Sequence, residues 1–137
     1  MDPSSDTNTN ELQAEINRLA ERLDVRPMAV GLRTNDGLNI FVDDDGTYHY
    51  TTYERGKLVW DDNGTLDDVL YWYCKGIVRG QGAKSIEDRK ERFLFEYQVL
   101  SHYNPEWAKR RVRELAAMFR NGQPDDIALL PDIGEPL

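Results

Sequence analysis

Between Leu66 and Met118 the chain reads LDDVLYWYCKGIVRGQGAKSIEDRKERFLFEYQVLSHYNPEWAKRRVRELAAM, with three helix-start signals written into it. Thr65 followed three residues later by Asp68 is a near capping box, in which each residue's side chain reaches the other's backbone N–H. Ser85 followed by Asp88 repeats that spacing. Asn104-Pro105-Glu106 supplies an N-cap, a proline at the first helical position and an acid in the first turn. These signals predict three consecutive helices. The first has Leu66, Val69, Leu70, Tyr73 and Ile77 on one face, and Tyr71, Trp72, Cys74 and Val78 widen its apolar surface, so it should be central and mostly buried. Gly80 and Gly82 are expected to end or break it. The second carries a main stripe of Ile86, Phe93, Tyr97 and Leu100, with Phe95 and Val99 on a second strip. The third places Ala108, Val112, Leu115 and Phe119 inward, flanked by Trp107 and Met118, and Asn121-Gly122 stops it.

The first half reads differently. Leu12, Ile16, Leu19 and Leu23 recur at helical spacing, so a helix is expected from Asn10 to Leu23, with Asn10 as N-cap and Pro27 beyond its end. Residues 1–9 read as a flexible lead-in. Alternating segments follow, separated by polar turns: Met28–Leu32, Leu38–Val42, Tyr48–Tyr53 and Leu58–Trp60. Asn35-Asp36-Gly37, Asp45-Gly46 and Glu54-Arg55-Gly56 are the turns between them. A three- or four-stranded antiparallel meander is expected, and it needs helices on one face to be stable. The fold class is therefore α+β: an N-terminal helix, a small meander, then a three-helix C-terminal half packed on one sheet face. With 137 residues and 39% apolar content, one domain over 10–120 suffices. An acidic, proline-containing tail, 121–137, follows and is expected to be extended, docked through Ile127, Leu129 and Leu130.

Charge is unevenly spread. Residues 31–68 hold nine acids and three bases, whereas 69–120 hold eleven bases and six acids. The front half repels phosphate and attracts basic partners. No apolar run approaches the ~20 residues of a membrane span, so no membrane role is expected. The N-terminus lacks a secretion signal and Cys74 is the only cysteine, which together suggest the cytoplasm.

Candidate chemistry is sparse. Asp43, Asp44 and Asp45 before Gly46 suggest a calcium loop, but Phe41 and Thr52 occupy positions where an EF-hand needs carboxylates. A hairpin turn accounts for them. Cys74, His49 and His102 could pair as nucleophile and base, yet none has a local signature and no zinc spacing is present. Gly80-Gln81-Gly82 lacks the rest of a phosphate-binding loop. No catalytic residue, metal or cofactor is expected. Lys109, Arg110, Arg111 and Arg113 resemble a nucleic-acid patch, but Glu106, Arg110 and Glu114 at i, i+4 spacing neutralise part of it. Tyr48, Tyr50, Tyr53 and Trp60 lie among Asp43, Asp44, Asp45, Glu54, Asp61 and Asp62. Aromatics ringed by acids have the composition of a protein interface for a basic partner. Cross-strand packing is the competing account of the same rings.

Three elements in order carry a family resemblance: Asp67-Asp68 before Leu70-Tyr71-Trp72; Arg92, Phe95 and Gln98; and Pro105-Glu106-Trp107-Ala108 with Arg110, Glu114 and Leu115. Over Leu66 to Met118 the chain resembles the Immunity protein 63 family, whose members accompany bacterial polymorphic toxins. It departs from the family between Trp72 and Arg92, where RGQGAKS replaces a longer helix with an acid and an arginine. The resemblance implies a cytoplasmic immunity protein that neutralises one cognate toxin domain by stoichiometric binding; the charge split adds the expectation of occlusion through the acidic sheet surface, against a basic toxin such as a nuclease-like effector. It treats Leu70, Tyr71, Trp72, Arg92, Phe95, Gln98, Trp107 and Arg110 as fold determinants, with Arg92, Gln98 and Trp107 satisfying polar groups near helix ends. The acidic and aromatic residues of the meander are left as the expected toxin contacts. The alternatives are a nucleic-acid-binding regulator using helix 105–120 and a non-catalytic adaptor subunit.

Overall fold

The computed structural model describes residues 3–32 and 34–137. Its elements run α1 (Pro3–Arg22), β1 (Gly37–Val42), β2 (Tyr48–Glu54), β3 (Lys57–Gly64), α2 (Leu66–Ser85), α3 (Arg89–Tyr103) and α4 (Pro105–Arg120), then a 3-10 helix at Pro124–Leu129. The α+β class and the order of elements match the sequence reading. The chain forms two compact units, 1–73 and 74–137, and the division falls inside α2.

In the first unit α1 begins at Pro3, earlier than the expected Asn10, so residues 3–9 are helical. Proline suits a first helical position, and extending an existing helix costs far less than nucleating one. Leu12, Ile16, Leu19 and Leu23 are buried along its stripe. The sheet is an antiparallel meander in the order β1-β2-β3. The fourth candidate segment, Met28–Leu32, is not a strand. The side chain of Gln13 takes its polar groups, donating to the Met28 carbonyl at 2.9 Å and accepting from the Val30 amide at 2.8 Å. The Gly31 amide then donates to the Ile40 carbonyl at 2.8 Å. With those groups satisfied, the segment gains little from full strand pairing.

Strand register sorts the side chains. Ile40 pairs with Tyr50 and Val42 with Tyr48, while Phe41 pairs with His49 on the opposite face. Ile40, Val42 and Tyr48 are buried on the inner face. The Trp72 ring of α2 lies 6.4 Å from that of Tyr50. Arg55 and Gly56 both have positive φ, 51° and 81°, as a tight two-residue hairpin requires. At the start of α2 the capping box is reciprocal: the Thr65 amide donates to Asp68 at 3.0 Å and the Asp68 amide to Thr65 Oγ1 at 3.2 Å.

The second unit corrects two boundaries. Helix α2 does not stop at Gly80 or Gly82 but runs to Ser85. Gly82 is buried, and a Cβ there would meet the Phe95 ring at 3.2 Å, so glycine lets the ring approach the helix. The cap of α3 is Asp88 rather than Ser85, and its carboxylate accepts from the Glu91 amide at 3.0 Å. Asn104 serves two helices. Its side chain accepts from the first amides of α4, and its own amide closes α3 on the Leu100 carbonyl. The tail is not an extended strap: Leu130 and Ile133 are buried with Val112, Leu115, Ala116 and Phe119, and Ile127 packs against them. Arg113 donates to both carboxylate oxygens of Glu135, at 2.6 and 2.9 Å, which fastens the tail to α4.

Candidate interaction surface

The expected contact residues do not form one patch, because strand alternation deals them to both faces of the sheet. On the inner face Tyr48 is buried and Tyr50 half-buried. Burial first, then Glu11, raises the Tyr48 phenol pKa; burial, with Asp62 and Tyr73, raises that of Tyr50. Neither ring is placed to make a broad contact with another protein. Trp60 lies in line with them, opposite Thr52, yet stays 59% exposed. Its indole N–H donates to Asp62 at 2.6 Å, two residues along the same strand face.

The outer face carries a compact polar cluster. His49 Nε2 lies 2.5 Å from Asp43 Oδ2, and Nδ1 lies 3.1 Å from Asp61 Oδ1. The ring stacks on Phe41 with centroids 4.7 Å apart and planes 9° from parallel. Partial burial pulls the imidazole pKa down, but the hydrogen bonds and charges of Asp61 and Asp43 outweigh it and hold the value above the ordinary 6.5. Asp43 and Asp61 are therefore occupied locally. Asp45 is occupied too: its side chain accepts from the Thr47 amide at 2.9 Å and Gly46 takes φ +86° beside it. That bond is the main reason the Asp45 carboxyl titrates below its usual range. The hairpin-turn reading of the three aspartates matches this geometry. Asp44 and Glu54 are exposed, in or beside turns at opposite ends of β2, and Tyr53 is half-buried next to a bulge at Thr52/Tyr53.

What the sequence reading missed is the apolar run beside Trp60. Leu58 is 52% and Val59 54% exposed, so three consecutive large apolar residues are open on β3. That strand pairs only with β2, which leaves its other edge unpaired among the described residues. The signal was present: Leu58-Val59-Trp60 breaks the alternation expected of a strand with one buried face.

The remaining candidates fall elsewhere. Cys74 is fully buried in α2. No group of three or more His, Cys, Asp or Glu among the described residues could hold a metal ion, and no helix among them is long and apolar enough to cross a membrane. The basic run of α4 is distributed among acids: Lys109 lies 3.9 Å from Glu106, Arg110 3.6 Å from Glu114, Arg111 3.2 Å from Glu96, and Arg113 binds Glu135. Of the family-pattern residues, Leu70, Tyr71 and Trp107 are buried, Trp72 and Phe95 are half-buried, and Arg92 donates to the Glu87 carbonyl at 2.7 Å near the start of α3. Gln98 is exposed.

The sequence pattern of the family described as Immunity protein 63 matches residues 44–117, just over half of the chain. The match starts well before Leu66 and takes in β2 and β3. No curated protein and no solved structure matches the chain.

Proposed function

The chain belongs to the Immunity protein 63 family, and from that premise we propose that it neutralises a cognate bacterial toxin domain by binding and covering it, one to one. The family implies a toxin partner. The observation that carries the finer reading is β3, where Leu58, Val59 and Trp60 are each more than half exposed on an edge strand. Monomeric surfaces rarely leave such runs open without an interaction to serve. Tryptophan with aliphatic neighbours is the usual centre of a binding patch, and charged residues form its rim. Asp62 binds the Trp60 indole, and the front half around it is acidic, with nine acids and three bases over residues 31–68, which suits a basic toxin face such as that of a nuclease. In this role the chain carries out no reaction itself, and it acts in the cytoplasm, where an incoming toxin meets its target.

Co-expression with candidate toxin domains taken from neighbouring genes tests the proposal. Wild type should restore growth. A Val59→Ala/Trp60→Ala double variant should lose protection while keeping its melting temperature, because both side chains are mostly solvated in the free protein. Full protection by that variant would overturn the β3 assignment.

A further inference from the structure

The second unit contains a cleft of about 360 Å³ walled by α2, α3 and α4. Its floor is apolar, formed by Phe93, Leu115, Met118 and Phe119, and its rim carries Arg79, Arg89, Arg92 and Arg111. Two of the four guanidinium groups are matched by carboxylates. Arg111 lies 3.2 Å from the buried Glu96, and Arg89 lies 3.1 Å from Asp126 while its head sits 5.6 Å from the ring centres of both Phe93 and Phe119. The other two are not. Arg79 is exposed with no carboxylate against it among the described residues. Arg92 is half-buried, one of its terminal nitrogens bonds only a backbone carbonyl, and its Nε is buried without an acceptor. Arg92 is partly withdrawn from water without a counter-charge, which is costly, and an anion entering the cleft would relieve that cost while also meeting the exposed Arg79.

We propose that this cleft binds an acidic, apolar segment of a protein partner, a carboxylate seating against Arg79 and Arg92 while the neighbouring apolar side chain lies on Phe93, Met118 and Phe119. Arginine forks match carboxylates and phosphates alike, so the floor decides between them. Many phosphate sites add the backbone N–H groups of a helix N-terminus or turn to such forks. This cleft offers helix flanks with aromatic and aliphatic side chains, and Asp88 already takes the Glu91 amide at the start of α3. The site goes beyond the β3 surface and does not depend on it.

The test is an NMR titration of the full chain with an N-acetylated, C-amidated dipeptide of aspartate and phenylalanine. Saturable shifts are expected at amides of 79–83, 89–96 and 111–119. Arg79→Gln, at an exposed position, should weaken binding about tenfold, the worth of one charge-assisted hydrogen bond. Met118→Glu, also at an exposed position, should abolish it by placing a carboxylate on the cleft wall. Absence of saturable shifts, or equal binding of the asparagine analogue, would overturn the proposal. So would phenyl phosphate binding in the dipeptide's place, since that would assign the cleft to phosphate compounds. Loss of toxin protection in the β3 variant with cleft binding intact would separate the two surfaces.

Discussion

His49 sits between Asp43 and Asp61 and titrates accordingly. Its folded-state pKa is raised above 6.5. The stabilisation it provides is therefore complete below about pH 6.5, the unfolded value, and is lost as pH rises through the folded value. Urea midpoints of wild type and His49→Gln should differ most at about pH 6.5 and just below it, and converge as pH rises through the folded value; a difference that stays constant as pH rises would contradict the assignment. Glu96 and Arg111 form a pair of another kind, with side chains only 6% and 13% exposed. Removing one partner strands the other charge, so Glu96→Ala should cost about 3 kcal/mol of stability by urea unfolding. Replacing both with apolar residues should recover most of that loss. A Glu96→Ala variant within a few tenths of a kcal/mol of wild type would mean that the pair is already solvated. The residue types at these sites are plain in the sequence, but the pairing of His49 with Asp43 and Asp61 depends on strand register. Arg92 and Glu96 stand at i, i+4 and read as a surface pair, but Glu96 binds Arg111 of α4 instead, and no spacing along the chain links Arg79 to either.

At the scale of elements, glycine was the misleading signal. Gly80 and Gly82 were expected to break α2, yet the helix passes through both. Their roles differ. A Cβ at Gly80 meets nothing within 4 Å, whereas at Gly82 it presses on Phe95. Gly80→Ala should therefore raise stability by up to about 1 kcal/mol, the helix-propensity difference, measured as a higher urea midpoint with unchanged slope. A decrease would show that the free space at Gly80 is occupied in solution. Helix starts are legible in the sequence where a side chain closes its own backbone, as at Thr65 and Asn104, because that bond is local and needs no tertiary partner. Met28–Leu32 failed as a strand for the opposite reason: Gln13, far away in sequence, took its hydrogen bonds.

For the whole molecule, the acidic front half and the open β3 run predict two separable effects on toxin binding. The association rate should fall as salt rises, and Asp44→Lys should lower it further, since long-range attraction acts before contact. Trp60→Ala should act mainly on dissociation, because buried contact area sets how long a complex lasts. Stopped-flow rates at low and high salt check both; a salt-independent association rate would remove charge steering from the account. The sequence by itself determined the class of the fold, the caps of α2 and α4, the hairpin turns, the family and the sign of each half's charge. All of these rest on neighbours within a few residues or on sums over the chain. Tertiary structure alone decided that the acidic and aromatic residues divide between two sheet faces, that Leu58 to Trp60 lie on an open edge, and that four arginines from three helices meet around one cleft. Those outcomes depend on register and packing between segments far apart in sequence, and no local pattern encodes them.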